Sequence, residues 1–177
     1  QLANYANQLI NGGFDVRFSA VGFVDLNTAD WPTLDWTTDT DTVENFLDNL
    51  TTGGQEEPTT DVIDFWLKQT VFSGFRSGAK PVIIYLGDEP GQVGNQSLPD
   101  ALDAIRAFDP ATVLVTNPSE RAANNIYQDI VDETGGVFLD LAGFTSTDLF
   151  NNTTTSVTTE ISLELTVGSE AAVGYRP

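Results

Sequence analysis

The chain has 177 residues, 40% of them hydrophobic, with 26 acidic residues against 7 basic ones and a formal net charge of -19. That length and apolar fraction suit one ordinary domain with a core of its own, while the charge makes phosphate backbones and anionic membrane surfaces poor partners and favours cations and basic proteins. Cysteine, methionine and histidine are all absent, which excludes disulfides, thiolate and imidazole metal sites and Ser/His/Asp or Cys/His nucleophiles; any metal must be held by oxygen, which means calcium, magnesium or manganese.

From the N-terminus, Leu2, Tyr5, Ala6 and Leu9 have helical spacing up to Asn11-Gly12-Gly13, a helix-stop signal. Phe14 to Val24 reads as a strand, with Val16, Phe18, Ala20 and Gly22 alternating against Arg17, Ser19, Val21 and Phe23, and it ends at Asp25. Leu34 to Thr37 is expected as a short edge strand. Asp39 or Asp41 caps a helix that puts Val43, Phe46, Leu47 and Leu50 on one face. Residues 51 to 61 are loop by composition, and a helix from about Thr60 to Phe72 turns Val62, Ile63, Trp66 and Leu67 inward.

The run Lys80-Pro-Val-Ile-Ile-Tyr-Leu-Gly-Asp-Glu-Pro90 is apolar enough for a strand buried on both faces, and it delivers Asp88 at its exit. Parallel sheets collect ligand sites outside the carboxyl ends of their strands, so Asp88 is the first functional candidate. A helix starts at Ser97, with Pro99 tolerated in its first turn. Ala111 to Thr116 is a strand, Glu120 to Glu133 a helix, Val137 to Leu141 a strand and Thr147 to about Thr158 a last helix. Strands alternating with helices at this spacing imply an open, mostly parallel α/β sheet with helices on both faces. Beyond it, Ile161, Leu163, Leu165 and Val167 alternate with Ser162, Glu164 and Thr166, so residues 159–177 are expected to be an extended tail or the start of a following β domain.

Other features read more simply. The Gly91 to Gly94 loop lacks the Gly-Lys-Ser/Thr ending and the basic residue of a phosphate cradle. Trp66 belongs to an inward helical face, and packing is also the expectation for Trp31 beside Pro32. Adjacent acids such as Asp88 and Glu89 rarely face one cleft at the separation glycoside hydrolysis needs, so no enzyme is expected. No apolar stretch approaches the roughly 20 residues of a spanning helix, and no membrane insertion is expected. Acceptor patterns at Asn49, Asn95, Asn151 and Asn152, with a surplus of Asp and Thr over Lys, lean toward an extracellular or cell-surface setting. With no methionine at its start, the chain is expected to be a processed or excised piece.

Three stretches in order, Phe18-Ser-Ala-Val-Gly-Phe-Val-Asp25, Gly53-Gly-Gln-Glu-Glu-Pro-Thr59 and Val82-Ile-Ile-Tyr-Leu-Gly-Asp88, resemble the von Willebrand factor A domain, and within that group the A-like domain of integrin β subunits. The resemblance covers residues 1–158 as a Rossmann-like pattern. It implies a divalent cation, Mg2+ or Ca2+, at the top of the sheet, completed by a carboxylate from a protein ligand. Asp88 matches the acid after the central strand, and Thr59 the coordinating threonine of ordinary A domains. Integrin β subunits have a glutamate after the proline, where this chain has Thr59 and offers Glu57 before Pro58. Asp25 and Glu56 match acids that hold a neighbouring calcium in integrin β subunits.

The chain departs from that family at its start. The Asp-x-Ser-x-Ser loop of the family, and the strand before it, precede the first helix, and this chain opens inside that helix. The expected domain therefore lacks its first strand, and open strand edges invite a complementary segment, supplied upstream or by a separate chain. The functional expectation is a cation-dependent protein-binding or adhesion module. The alternative is a structural subunit of a surface assembly that uses no metal.

Overall fold

The computed structural model describes residues 1–23, 31–50, 58–68, 75–76 and 78–155. Among these, the first helix, α1 (Leu2–Asn11), buries Tyr5, Ala6 and Leu9 and stops at Gly12. Next come two short strands, β1 (Phe18–Val21) and β2 (Thr33–Thr37), paired antiparallel with an irregularity between Phe18 and Ala20. Helix α2 (Thr40–Asp48) is capped by Asp39, whose carboxylate accepts hydrogen bonds from the Asp41 amide and the Thr42 hydroxyl. Those two donors, Thr42 first, hold the Asp39 carboxyl below the usual aspartate range. Helix α3 (Thr59–Lys68) follows.

The second sheet is parallel and three-stranded, in the order β3 (Val82–Gly87), β4 (Ala111–Thr116), β5 (Val137–Asp140). Its register is unbroken, with Val82 opposite Ala111, Gly87 opposite Thr116 and Val113 opposite Val137. Helix α4 (Leu98–Phe108) crosses from β3 to β4, starting at a Ser97 cap whose side chain accepts from the Asp100 amide, with proline in the first turn. It ends at Asp109, which takes a left-handed conformation at φ 45° and receives the Lys80 ammonium at 2.9 Å. Helices α5 (Pro118–Ala123) and α6 (Ile126–Thr134) connect β4 to β5, and a last helix, α7, spans residues 146–155. None of the helices among the described residues is long and apolar enough to cross a membrane.

Period-two side chains build two cores, one on each face. Ile83 and Tyr85 of β3 and Leu114 of β4 join Val62, Ile63 and Leu67 of α3, Ala101, Ala104 and Ile105 of α4, and Tyr127 and Ile130 of α6. On the opposite face Val113 and Val115 of β4 meet Tyr5 and Leu9 of α1 and Leu149 of α7, with Ile84, Leu86, Val137 and Leu139 packed alongside. Every residue of β4 is buried, as a central parallel strand with helices above and below requires. Removing the Leu114 side chain from this position would cost about 2–5 kcal/mol.

Two expectations change. The Phe14 segment was expected in one sheet with β3, β4 and β5; instead only Phe18–Val21 is strand, and it pairs with β2 in a separate two-stranded sheet. Gly12 and Gly13 leave residues 14–17 as connector, and among the described residues β4 is the one strand paired with β3. The single helix expected over Glu120 to Glu133 is two. Asn124 is extended, accepts from the Ile126 amide and donates its side-chain amide to the Gly91 carbonyl at 2.6 Å, so tertiary bonding outweighs helical periodicity there.

Candidate functional site

The loop that leaves β3 is held from two sides. On one side the first turn of α3 supplies Thr60, whose hydroxyl donates to the Gln96 carbonyl and accepts from the Gly94 amide, and Asp61, whose carboxylate accepts from the amides of Asn95 and Gln96 and from the Asn95 side chain. On the other, Tyr127 donates its hydroxyl to the Glu89 carbonyl at 2.9 Å and Asn124 holds Gly91. A Cβ on Gly91 would lie 3.0 Å from the Tyr127 ring and 3.1 Å from the Thr59 hydroxyl, so any larger residue there makes these neighbours give by a few tenths of an ångström.

That frame presents Asp88 and Glu89, both exposed, at the carboxyl end of β3. Among the described residues no hydrogen bond or ion pair engages the Asp88 carboxylate. The far edge of this sheet is neutralised differently: Asp140, at the end of β5, is bridged by Arg121, which also donates to the Thr116 carbonyl at the end of β4 and lies over the Phe138 ring at 4.8 Å. The rim therefore runs from an ion-paired end at β5 to an uncompensated acidic end at β3.

Thr59 is fully buried at the start of α3, and its hydroxyl is 3.1 Å from that of Tyr85, three residues before Asp88 on β3. Thr59 and Asp88 are hard oxygen donors of the kind magnesium and calcium take, but they supply only part of a shell of six to eight oxygens. Among the described residues no three acids come together as a metal site. Asp25, Glu56 and Glu57 lie outside the described residues, as does the segment from Gly53.

Sequence reasoning did not single out Tyr85, Tyr127 or Asn124, the groups that fix this loop. The Asn-Asn pair inside an otherwise helical run was the available signal, since Asn is a poor helix interior residue and a good bonder of nearby backbone. For the tyrosines no signal existed, because Tyr85 lay within the run read as a buried strand and the carbonyl that Tyr127 reaches is 38 residues away. No protein-family model matches the chain, and no curated protein matches it either.

Proposed function

We propose that the chain is an extracellular protein-binding or adhesion module, with its recognition face at the carboxyl ends of the parallel strands and a divalent cation, Mg2+ or Ca2+, as part of that face. The observation that carries this reading is Asp88: an exposed carboxylate that no hydrogen bond or ion pair engages among the described residues, at a parallel-strand exit, on a loop pinned from both sides. A rigid loop lowers the ordering cost of binding. The resemblance to the von Willebrand factor A domain supplies the rest: Asp88 and Thr59 as ligands directly or through water, Glu57, Asp25 and Glu56 as further candidates, and a carboxylate of a protein ligand to complete the shell. The role is binding, and no catalytic step is assigned.

The test is calorimetric titration of the chain with Mg2+ and with Ca2+, repeated on Asp88→Ala. The expected result is weak binding, with Kd on the order of 10⁻³ M because water fills much of the shell, that the substitution removes. Equal affinities in the two proteins overturn the cation assignment. A structural subunit that packs against a neighbour and needs no metal is the second reading, favoured by β1 and β3 each having a single strand partner among the described residues.

A further inference from the structure

A cavity of about 940 Å³ separates the two sheets. Its sides are strands: Phe18 to Val21 of β1 on one, Val82 to Leu86 of β3 on the other. Each of these strands has a single pairing partner among the described residues, β2 for β1 and β4 for β3, so each turns an open ladder edge toward the gap. The two run in the same direction. Asp15, ahead of β1, pairs with Arg76, ahead of β3, at 2.6 Å, while Phe23, beyond β1, stacks on Tyr85, late in β3, with centroids 5.4 Å apart.

The cavity is closed above and below by apolar side chains. Tyr5, Ala6 and Leu9 of α1 lie on one face, and Val62, Ile63 and Trp66 of α3 on the other. A gap with two strand edges for sides and an apolar helix on each face has the shape of one β-strand of a parallel sheet. Unpaired backbone groups along both edges are costly to leave in such surroundings, and a strand laid between them satisfies both ladders at once.

We infer that this gap is a docking slot for one parallel β-strand, about five or six residues long and apolar on both faces, supplied from outside these 177 residues. The chain's own remaining segments do not fit it. In residues 156–177 the apolar positions Ile161, Leu163, Leu165 and Val167 alternate with Ser162, Glu164 and Thr166, so seating that stretch would bury the Glu164 carboxylate against Leu9 or Val62 without a partner. Residues 24–30, 51–57, 69–74 and 156–177 contain no run of four apolar residues. The inference concerns strand pairing and stands independently of any cation at the rim.

The test uses the full chain and a soluble probe, the peptide Lys-Lys-Val-Ile-Val-Leu-Ile-Lys-Lys. Its controls are the same peptide with proline in place of the central valine and leucine, which keeps the charge and blocks the ladder, and a synthetic copy of residues 160–168. Backbone amide exchange is read by NMR in β1 and β3, and thermal unfolding in parallel. Expected is one-to-one binding by the first peptide alone, with exchange in both strands slowed at least about tenfold and a rise of several degrees in the unfolding midpoint. Protection no greater than that given by the proline control overturns the inference. So does protection already present in the chain that is lost on deleting residues 156–177, which makes the tail the occupant, or that grows with protein concentration, which makes it a second copy.

Discussion

Tyr5 shows how a single side chain ties the ends of the described fold together. Its buried hydroxyl donates to Thr153 at 3.1 Å across 148 residues of sequence, and Thr153 in turn donates to the Leu149 carbonyl. Burial raises the Tyr5 phenol above its usual 10.0, more than the Thr153 hydrogen bond lowers it. A tyrosine with a raised pKa in the folded state stabilises fully below the unfolded value, and that contribution is lost as the pH climbs from 10.0 through the folded value. Tyr5→Phe should therefore cost about 1 kcal/mol near neutrality, through the lost hydrogen bond. It should also lose less stability than the parent between neutral pH and about pH 11. Urea unfolding at the two pH values checks this, and an equal alkaline loss in both proteins would show that Tyr5 is not the titrating group.

At the scale of elements, legibility followed burial. β4 matched its expected bounds, Ala111 to Thr116, because a continuous apolar run between turn residues has one reading when both faces are covered. α2 begins just after Asp39, one of the two caps expected with Asp41, and α4 begins just after Ser97, where a helix start was expected. The break between α5 and α6 was signalled only by the Asn124-Asn125 pair and was missed, since its cause is a hydrogen bond from Asn124 to Gly91, 33 residues away. The division of the sheet was only partly legible. Alternation identified β1, yet periodicity says nothing about which strand lies beside which. Of the candidate site, the exposure of Asp88 was readable from the end of the apolar run, whereas the burial of Thr59 against Tyr85 depended on tertiary packing.

The α6–β5 junction gives a prediction at the same scale. Gly135 closes α6 at φ 61°, and Gly136 donates its amide to the Val131 carbonyl at 3.1 Å. A Cβ on Gly136 would sit 2.6 Å from the Thr112 carbonyl oxygen and 2.9 Å from the Thr134 hydroxyl. The carbonyl is backbone within β4 and cannot swing aside. Gly136→Ala should destabilise by about 1–3 kcal/mol, against little change from Gly143→Ala, where a Cβ meets open space. Denaturant midpoints of the two variants decide it, and equal midpoints would mean that β5 shifts freely against β4.

For the whole molecule the governing quantity is a net charge of -19 on 177 residues. Like charge at that density opposes compaction, and ion pairs among the described residues lie largely at the surface, where Arg106 joins Asp103 and Glu133 and Arg76 joins Asp15. Raising NaCl shortens the screening length to about 10 Å at 0.1 M, so the thermal midpoint should climb with salt. Screening alone cannot distinguish one ion from another at matched ionic strength. A bound cation can, because anything that binds only the folded chain raises its stability by mass action. Replacing NaCl with MgCl2 or CaCl2 at constant ionic strength should therefore raise the midpoint further in the parent chain. In Asp88→Ala the NaCl response should persist while the additional divalent rise disappears. If the divalent rise survives the substitution, the cation is held by the diffuse acidic surface and not at the β3 exit, and the structural reading of the chain takes precedence.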